Sequence, residues 1–148
     1  RGARFPGGLL GTLAAMEGVA FLMHRHLMHG PLWFLHESHH RRDRGRFEWN
    51  DLFGVFFSLP SIALIYAGTH GYPRALWIGL GMAAYGALYF LFHDVVVHRR
   101  LRWPIRPSSP YMRRIIQAHL IHHKTLTKHG AVSFGFLYAP PPSKLTRQ

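Results

Sequence analysis

Three long apolar segments constrain the fold of this chain more than any other feature. They run from Pro6 to Met23, from Leu52 to Gly68 and from Ala75 to Phe92, and Glu17 is the only charged residue in them. Each has about 18 residues, at the short end of the length that a helix needs to cross the hydrocarbon layer of a bilayer. Core helices of a soluble bundle are the alternative, but the near absence of charge favours membrane spans. With their helical ends included, the spans are predicted at about residues 6–28, 51–68 and 75–97.

Basic residues gather in only two of the segments between these spans. If the spans cross in turn, both segments lie on one side of the membrane, and the short connector with Arg74 lies on the other side. Because Lys and Arg accumulate in cytoplasmic loops, this side is predicted to be cytoplasmic. The residues concerned are Arg41, Arg42, Arg44 and Arg46 after the first span, and Arg99, Arg100, Arg102, Arg106, Arg113 and Arg114 after the third.

The net charge of +12 raises the possibility of nucleic-acid binding. No recognition motif accompanies the basic residues, however, and they flank membrane spans. Anionic lipid headgroups or an acidic protein partner are therefore the favoured contacts of this face, and nucleic acid is not.

The segments outside the spans contain signals for shorter elements. Gly30 and Pro31 predict the end of the first helix, because the residue before proline avoids the α conformation. Two cytoplasmic helices are predicted at about residues 32–42 and 110–127. Asn50 and Asp51 are candidates for the N-cap of the second span. The C-terminal residues alternate apolar with small or polar side chains and predict an extended lid or a hairpin.

Histidine spacing repeats along the chain. The pattern H-x-x-x-x-H followed by H-x-x-H-H occurs twice, so the two copies together contain ten of the 13 histidines. The first copy comprises His24, His29, His36, His39 and His40, and the second comprises His93, His98, His119, His122 and His123. The other three, His26, His70 and His129, fit no repeat and are expected to be ordinary hydrogen-bonded residues.

The spacing indicates how these rings could converge. On a helix, positions i, i+3 and i+4 share one face, so H-x-x-H-H presents three rings together, two for one metal ion and one for its neighbour. Positions i and i+5 are about 140° apart on an ideal helix, so that pair can converge only if the helix is distorted or the ions lie between the rings. Gly30 and Pro31 supply one possible distortion.

Ten histidines on one predicted membrane face indicate metal binding, because burying so many imidazoles without a metal would be costly. The chain has no cysteine, so nitrogen and oxygen must supply the ligands. Imidazole suits zinc, copper, iron and nickel. Ten neutral ligands are too many for one tetrahedral zinc and suit two six-coordinate ions. Iron is favoured for redox chemistry, although zinc or another divalent metal could occupy a purified sample.

The histidine order resembles that of the fatty acid hydroxylase superfamily of membrane di-iron enzymes. Within it, the stretches HRHLMHG, FEWNDLFGV, GALYFLFHD, QAHLIHH and GAVSFGF are similar to those of the bacterial β-carotene 3-hydroxylases. The similarity covers nearly the whole chain. Val95 departs from the pattern, because a glycine is expected there, and it could alter the path of the chain toward His98.

The resemblance implies a non-haem di-iron monooxygenase that uses O2 to hydroxylate carotenoid β-ionone rings at C3, from β-carotene through β-cryptoxanthin to zeaxanthin. It implies that the ten histidines of the repeat bind two iron ions. Electrons would come from NAD(P)H through ferredoxin reductase and ferredoxin. The expected fold is an all-α protein of the bacterial inner membrane, a single domain over residues 1–148. Three to four membrane helices would carry a cytoplasmic helical cap with the metal site.

Three acidic residues are candidates for supporting roles. Asp94 could orient the ring of His93 through its second nitrogen, or could pair with an arginine. Glu17 lies within a span and near the helix face of His24, which makes it a functional candidate, and a role behind the ligands is hypothesised. Glu37, between His36 and His39, could equally be solvated or support a ligand.

Two classes of alternative remain open at this point. The same scaffold could oxidise a fatty acid, a sterol or the C4 position of a carotenoid ring. A non-catalytic membrane protein that binds or transports metal is less favoured, because a transport path would need polar residues inside several spans.

Overall fold

A computed structural model describes residues 6–41, 47–101, 103 and 106–145, and these residues form helices and irregular connections without strands. The predicted cytoplasmic residues Arg42, Arg44, Arg46 and Arg102 lie outside the described ranges. The α-helices are α1 (Pro6–Met23), α2 (Trp33–His40), α3 (Asp51–Thr69), α4 (Pro73–Tyr89), α5 (Pro110–His122) and α6 (Pro142–Leu145). Two π-helical segments, His24–Met28 and Phe90–Val97, extend α1 and α4.

Three helical stretches are long and apolar enough to cross a membrane. They are Gly7–Met28, Asp51–Thr69 and Pro73–Val97, which agree closely with the predicted spans. Large apolar side chains on their outer faces are exposed, and Leu10 and Ile62 keep more than 60% of their surface accessible (64% and 61%). Apolar faces of this kind would favour aggregation in water, but they are suited to contact with lipid tails. The predicted class, an all-α membrane fold with clustered histidines, is confirmed.

Small residues allow the membrane helices to approach closely, with α4 packed against both α1 and α3. A methyl group added at Gly81 would lie 2.7 Å from Thr12 Cβ in α1. One added at Gly79 would lie 2.8 Å from Ile65 Cγ1 in α3, and the Ser61 hydroxyl donates a 2.8 Å hydrogen bond to the Gly79 carbonyl. Close backbone approach with a hydroxyl bridge is how membrane helices associate without a hydrophobic driving force.

The start of α3 agrees with the prediction in position but not in hydrogen bonding. Asn50 occupies the N-cap position, but its side chain makes no capping hydrogen bond. Its Oδ1 atom instead accepts a 2.7 Å hydrogen bond from His36 Nδ1. Asp51 Oδ2 accepts the backbone N–H of Glu48 at 2.9 Å. The two side chains therefore organise the connection before α3 and the histidines beside it.

The C-terminal region is also different from the prediction. Helix α5 begins at Pro110 and is capped by Ser109, whose hydroxyl accepts the N–H of Met112 at 3.1 Å, and it ends at His122 instead of near residue 127. Residues 124–141, named the tail segment here, form neither a hairpin nor a strand. Beyond the helix, the carbonyl groups of Thr125 and Lys128 accept hydrogen bonds from histidine rings instead of helical N–H groups.

Replacing Gly79 with alanine is expected to destabilise the packing of α3 on α4 by about 1–3 kcal/mol, because the added methyl group overlaps the facing backbone. Gly86→Ala is the matched control in the same helix, since no atom lies within 4 Å of its added methyl group. Thermal unfolding in detergent measures both. Equal melting temperatures for the two variants would contradict this account of the packing.

Candidate metal centre

The first histidine of each H-x-x-x-x-H pair lies in a π-helical segment, and the second directly follows that segment. His29 N–H donates to His24 O at 3.0 Å, and His98 N–H donates to His93 O at 2.9 Å. This i to i+5 hydrogen bond defines a π-helix, and it places residues five apart one above the other on the same side. The distortion that the spacing required is therefore a π-helical turn in both copies, and Gly30 and Pro31 come only after the first of them.

The structure brings all ten histidines of the repeat together in two adjacent groups. One ring nitrogen from each member lies within 4.8 Å of those of the other members of its group. The first group comprises His24, His29, His36, His40 and His122. The second group comprises His39, His93, His98, His119 and His123.

The two H-x-x-H-H motifs are shared between the groups. In the first motif the i and i+4 rings, His36 and His40, join the first group, while His39 crosses to the second. The second motif does the reverse, because His119 and His123 join the second group and His122 crosses to the first. Each group therefore holds one π-helical pair, one i, i+4 pair and one ring from the other motif.

The Nε2 atoms converge at short distances in both groups. In the first group these contacts are His24 with His36 at 3.1 Å, His29 with His122 at 3.2 Å and His36 with His40 at 3.2 Å. In the second group they are His39 with His93 at 3.0 Å, His98 with His119 at 3.0 Å and His119 with His123 at 2.8 Å.

These distances fit ligands arranged at right angles around an ion. Two nitrogens about 2.1 Å from one ion lie about 3.0 Å apart at a right angle and about 3.4 Å apart at the tetrahedral angle. The observed contacts match the first value. Five nitrogens arranged in this way suit an ion with five or six ligands better than a four-coordinate zinc.

Every ring of the first group is oriented through its other nitrogen by a neutral oxygen. His36 Nδ1 donates to Asn50 Oδ1, as described above. The other four donate to carbonyl oxygens of the tail segment: His24 to Phe134 at 3.0 Å, His29 to Lys128 at 3.2 Å, His40 to Thr125 at 2.8 Å and His122 to Val132 at 2.9 Å. Since these oxygens only accept, the proton of each ring is on Nδ1 and Nε2 carries a lone pair.

In the second group, one ring is instead hydrogen-bonded to a carboxylate. His39 Nδ1 donates to Glu48 Oε2 at 2.7 Å. Asp94 Oδ2 lies 3.6 Å from His93 Nδ1, too far for a hydrogen bond, while Asp94 Oδ1 pairs with Arg100 at 2.9 Å. Of the two roles considered for Asp94, the pairing with arginine is the one that the structure forms.

Lone pairs that face each other across about 3 Å repel unless a cation lies between them. Protonation of the rings is disfavoured, because burial lowers the pKa of His36 to about 2, of His98 to about 3 and of His40 to about 4. These three rings are thus neutral at physiological pH, and their nitrogens are available as ligands. The donor atoms fit two divalent transition-metal ions, one in each group.

Glu17 lies deep in the first span and contacts the tail segment. Its Oε1 atom accepts the backbone N–H groups of Phe136, Leu137 and Tyr138 at 2.9, 3.0 and 3.1 Å, and its Oε2 atom accepts the Tyr85 hydroxyl at 2.7 Å. Its described hydrogen bonds include no histidine nitrogen. A Cβ at Gly135 would lie 2.8 Å from Glu17 Oε1, so this approach requires glycine. Glu17 thus anchors the segment whose carbonyl groups orient the first group.

The remaining candidates lie away from the histidine groups. Glu37 pairs with Arg41 at 2.6 Å across one helical turn, and Arg41 is exposed. His26, His70 and His129 belong to neither group and are exposed. Val95 is buried, with 2% of its surface exposed, and His98 still reaches the second group.

The oxygen atoms that contact the rings come from residues to which no sequence pattern assigned this role. Glu48 and Asn50 lie in the stretch FEWNDLFGV, which resembled the family but had no chemistry assigned to it. The spacing between each of them and its histidine, nine and 14 residues, follows no helical rule that could have predicted the contact. The carbonyl groups of the tail segment carry no side-chain signal at all.

Comparison with known proteins gives the family. The fatty acid hydroxylase family model matches residues 9–139, and the chain belongs to that family. It is 52% identical over 136 residues to the β-carotene hydroxylase of Pantoea ananas, covering 90% of this chain and 77% of that protein. It is 45% identical over 140 residues to the β-carotene hydroxylase of Paracoccus sp. (strain PC1), covering 93% of this chain and 85% of that protein. No solved structure matches the chain significantly.

Replacing Glu17 with alanine is expected to release the tail segment and lower the metal content of the purified protein. Three backbone N–H groups and one hydroxyl would lose their acceptor, at about 1–3 kcal/mol for each one left buried and unpaired. Glu17→Gln keeps an amide oxygen for the N–H groups and is expected to stay near the wild type. Metal analysis and limited proteolysis of residues 124–141 measure the effect.

Glu37→Ala is the control for loss of a carboxylate. Its partner is an exposed arginine, so its metal content and its cleavage pattern are expected to match the wild type. If Glu17→Ala gave the same pattern as this control, Glu17 would have no anchoring role.

Proposed function

We propose that this protein is a membrane monooxygenase that hydroxylates carotenoid β-ionone rings at C3, converting β-carotene through β-cryptoxanthin to zeaxanthin. The observation that carries the proposal is the pair of adjacent five-histidine groups at the ends of two membrane helices. The activity named for the bacterial relatives agrees with it.

The ten histidines of the two groups would hold two iron ions, one in each group. Iron bound there would pass electrons to O2 and so activate it for attack on an unactivated C–H bond, which acid-base chemistry alone cannot achieve. The protein fixes the proton position of six of these rings, because their Nδ1 atoms donate to the oxygens described above. It also contributes a dry surrounding, since His24 and His122 are among the most buried side chains in the described part of the chain.

Aromatic rings separate the histidines from the membrane interior. Phe136 stacks on His24 at a centroid distance of 5.2 Å and lies 5.5 Å from His93, so it contacts rings of both groups. Phe134 lies within 5.5 Å of three rings of the first group, His24, His29 and His122. A substrate ring that approaches from lipid thus meets an apolar aromatic surface and excludes water as it binds.

A cavity beside Phe134 supports a lipid-soluble ring substrate. It has a volume of about 250 Å³ and lies between α1 and the tail segment, with Gly18, Phe21 and Tyr138 also in its wall. A dry cavity of about 150 Å³ is enough to bind benzene. The rest of a polyene could remain in the bilayer while its terminal ring occupies such a space.

Electrons would come from NAD(P)H through ferredoxin reductase and ferredoxin. Arg41, Arg99 and Arg113 are exposed on segments that adjoin the metal centre, and they offer a basic surface to an acidic electron donor. The same charges would keep this side in the cytoplasm if the protein lies in the bacterial inner membrane.

Production of the protein in a bacterium that makes β-carotene is expected to yield β-cryptoxanthin and zeaxanthin, identified by pigment chromatography. A fatty-acid or sterol hydroxylase would leave β-carotene unchanged, and a C4 oxidase would give canthaxanthin instead. Either of these results would overturn the proposed substrate or position. The His119→Ala variant is the negative control.

Metal analysis is expected to find two iron ions per chain in protein purified without loss of metal. His122→Ala and His119→Ala each remove a ligand from one group and are expected to lower the content to about one ion or less. His129→Ala, an exposed histidine outside both groups, is the matched control and is expected to keep two. A metal-binding protein without catalysis would show the two ions but no pigment conversion.

A further inference from the structure

The two histidine groups differ in the charge of the oxygens behind them. All five rings of the first group donate to neutral oxygens, four of them backbone carbonyls and the fifth an amide. The second group has Glu48 in direct hydrogen bond with His39. The groups therefore offer the same number of imidazoles but not the same electrostatic environment.

Glu48 is held in place for this contact. Its backbone N–H donates to Asp51 Oδ2 at 2.9 Å, and Asp51 is paired with Arg100 at 2.7 Å. Arg100 also pairs with Asp94, the residue that follows His93, at 2.9 Å. The carboxylates of Asp51 and Asp94 thus share one guanidinium, and the carboxylate of Glu48 accepts a hydrogen bond from a candidate ligand.

A carboxylate hydrogen-bonded to the outer nitrogen of an imidazole makes the inner nitrogen a stronger ligand. It also adds negative charge close to the cation, and both effects are larger where water is excluded. The contact lies in such a place, since the exposed side-chain fractions are 1% for His39 and 11% for Glu48. A carbonyl oxygen orients a ring equally well but brings no net charge.

We propose that Glu48 is a positioning residue that makes the two metal sites unequal, so that the second group holds its divalent cation more tightly than the first. Asn50 occupies the corresponding place behind His36 of the first group, as the neutral counterpart of Glu48. The two residues lie two positions apart in the chain and serve different groups. This inference rests on the proposed binding of metal by the ten histidines.

Stepwise removal of metal tests the proposal on the full chain in detergent. Protein loaded with Co²⁺ is challenged with increasing concentrations of a chelator, and the ions retained per chain are counted. The wild type is expected to lose its two ions in two steps, separated by at least about tenfold in chelator concentration. The step at the lower chelator concentration is called the labile step, and the other is called the resistant step. His29→Ala changes the first group and is expected to retain the resistant step. His98→Ala changes the second group and is expected to retain only the labile step.

Variants that remove the charge at Glu48 or add a charge at Asn50 are the decisive ones. Glu48→Gln keeps an acceptor for His39 but removes the charge, and it is expected to make the resistant step about 10–100-fold easier to remove. Asn50→Asp adds a charge behind His36 and is expected to make the labile step harder to remove by a similar factor. Glu37→Gln, whose carboxylate pairs with an exposed arginine, is expected to change neither step.

Each outcome decides for or against the proposal. A single release step in the wild type overturns it, as does a resistant step that Glu48→Gln leaves unchanged. A gain of retention in Asn50→Asp cannot arise from misfolding, so it supports the proposal even if Glu48→Gln is unstable. The pigment assay separates the two hypotheses: zeaxanthin formation with one release step overturns only this inference, and two steps without pigment conversion overturn only the proposed reaction.

Discussion

The mutual approach of unprotonated ring nitrogens is the interaction on which the rest of this structure depends. Ten Nε2 atoms point toward two centres, and the closest pairs are 2.8–3.2 Å apart. In the absence of cations this arrangement would place lone pairs against one another in a region that excludes water, at a large energetic cost. In the first group, four backbone carbonyl groups and the amide of Asn50 keep these nitrogens in place and the ring protons on Nδ1, on the opposite side of each ring.

Two features of the backbone that regular α-helices lack hold the ring nitrogens in these positions. Each of two membrane helices ends in a π-helical turn, which places residues five apart on the same side. The two histidine rings of each pair can therefore project together from the end of the helix. The irregular tail segment then offers its carbonyl groups to the rings of the first group instead of to a helix or a strand. Irregular backbone next to a membrane is tolerated where its polar groups are satisfied, and here the histidines satisfy them.

The tail segment in turn depends on one carboxylate within the membrane. Glu17 accepts three of its N–H groups, which would otherwise lack partners beside an apolar helix. Glu17 was expected to contact a ligand ring from behind. It instead binds the backbone of the tail segment, and the carbonyl groups of that segment orient the rings. A chain of hydrogen bonds connects the membrane helix, the tail and the first histidine group.

The sequence by itself determined the three spans and the ten histidines that converge, because hydrophobic length and ligand spacing are local properties of the chain. It also required some distortion between His24 and His29 and between His93 and His98, since an ideal helix separates such rings. Only the tertiary structure decided that this distortion is a π-helix, that His39 and His122 cross between groups, and that Glu48 and Asn50 stand behind different rings. These outcomes depend on contacts between residues from nine to 110 positions apart, which no local pattern records.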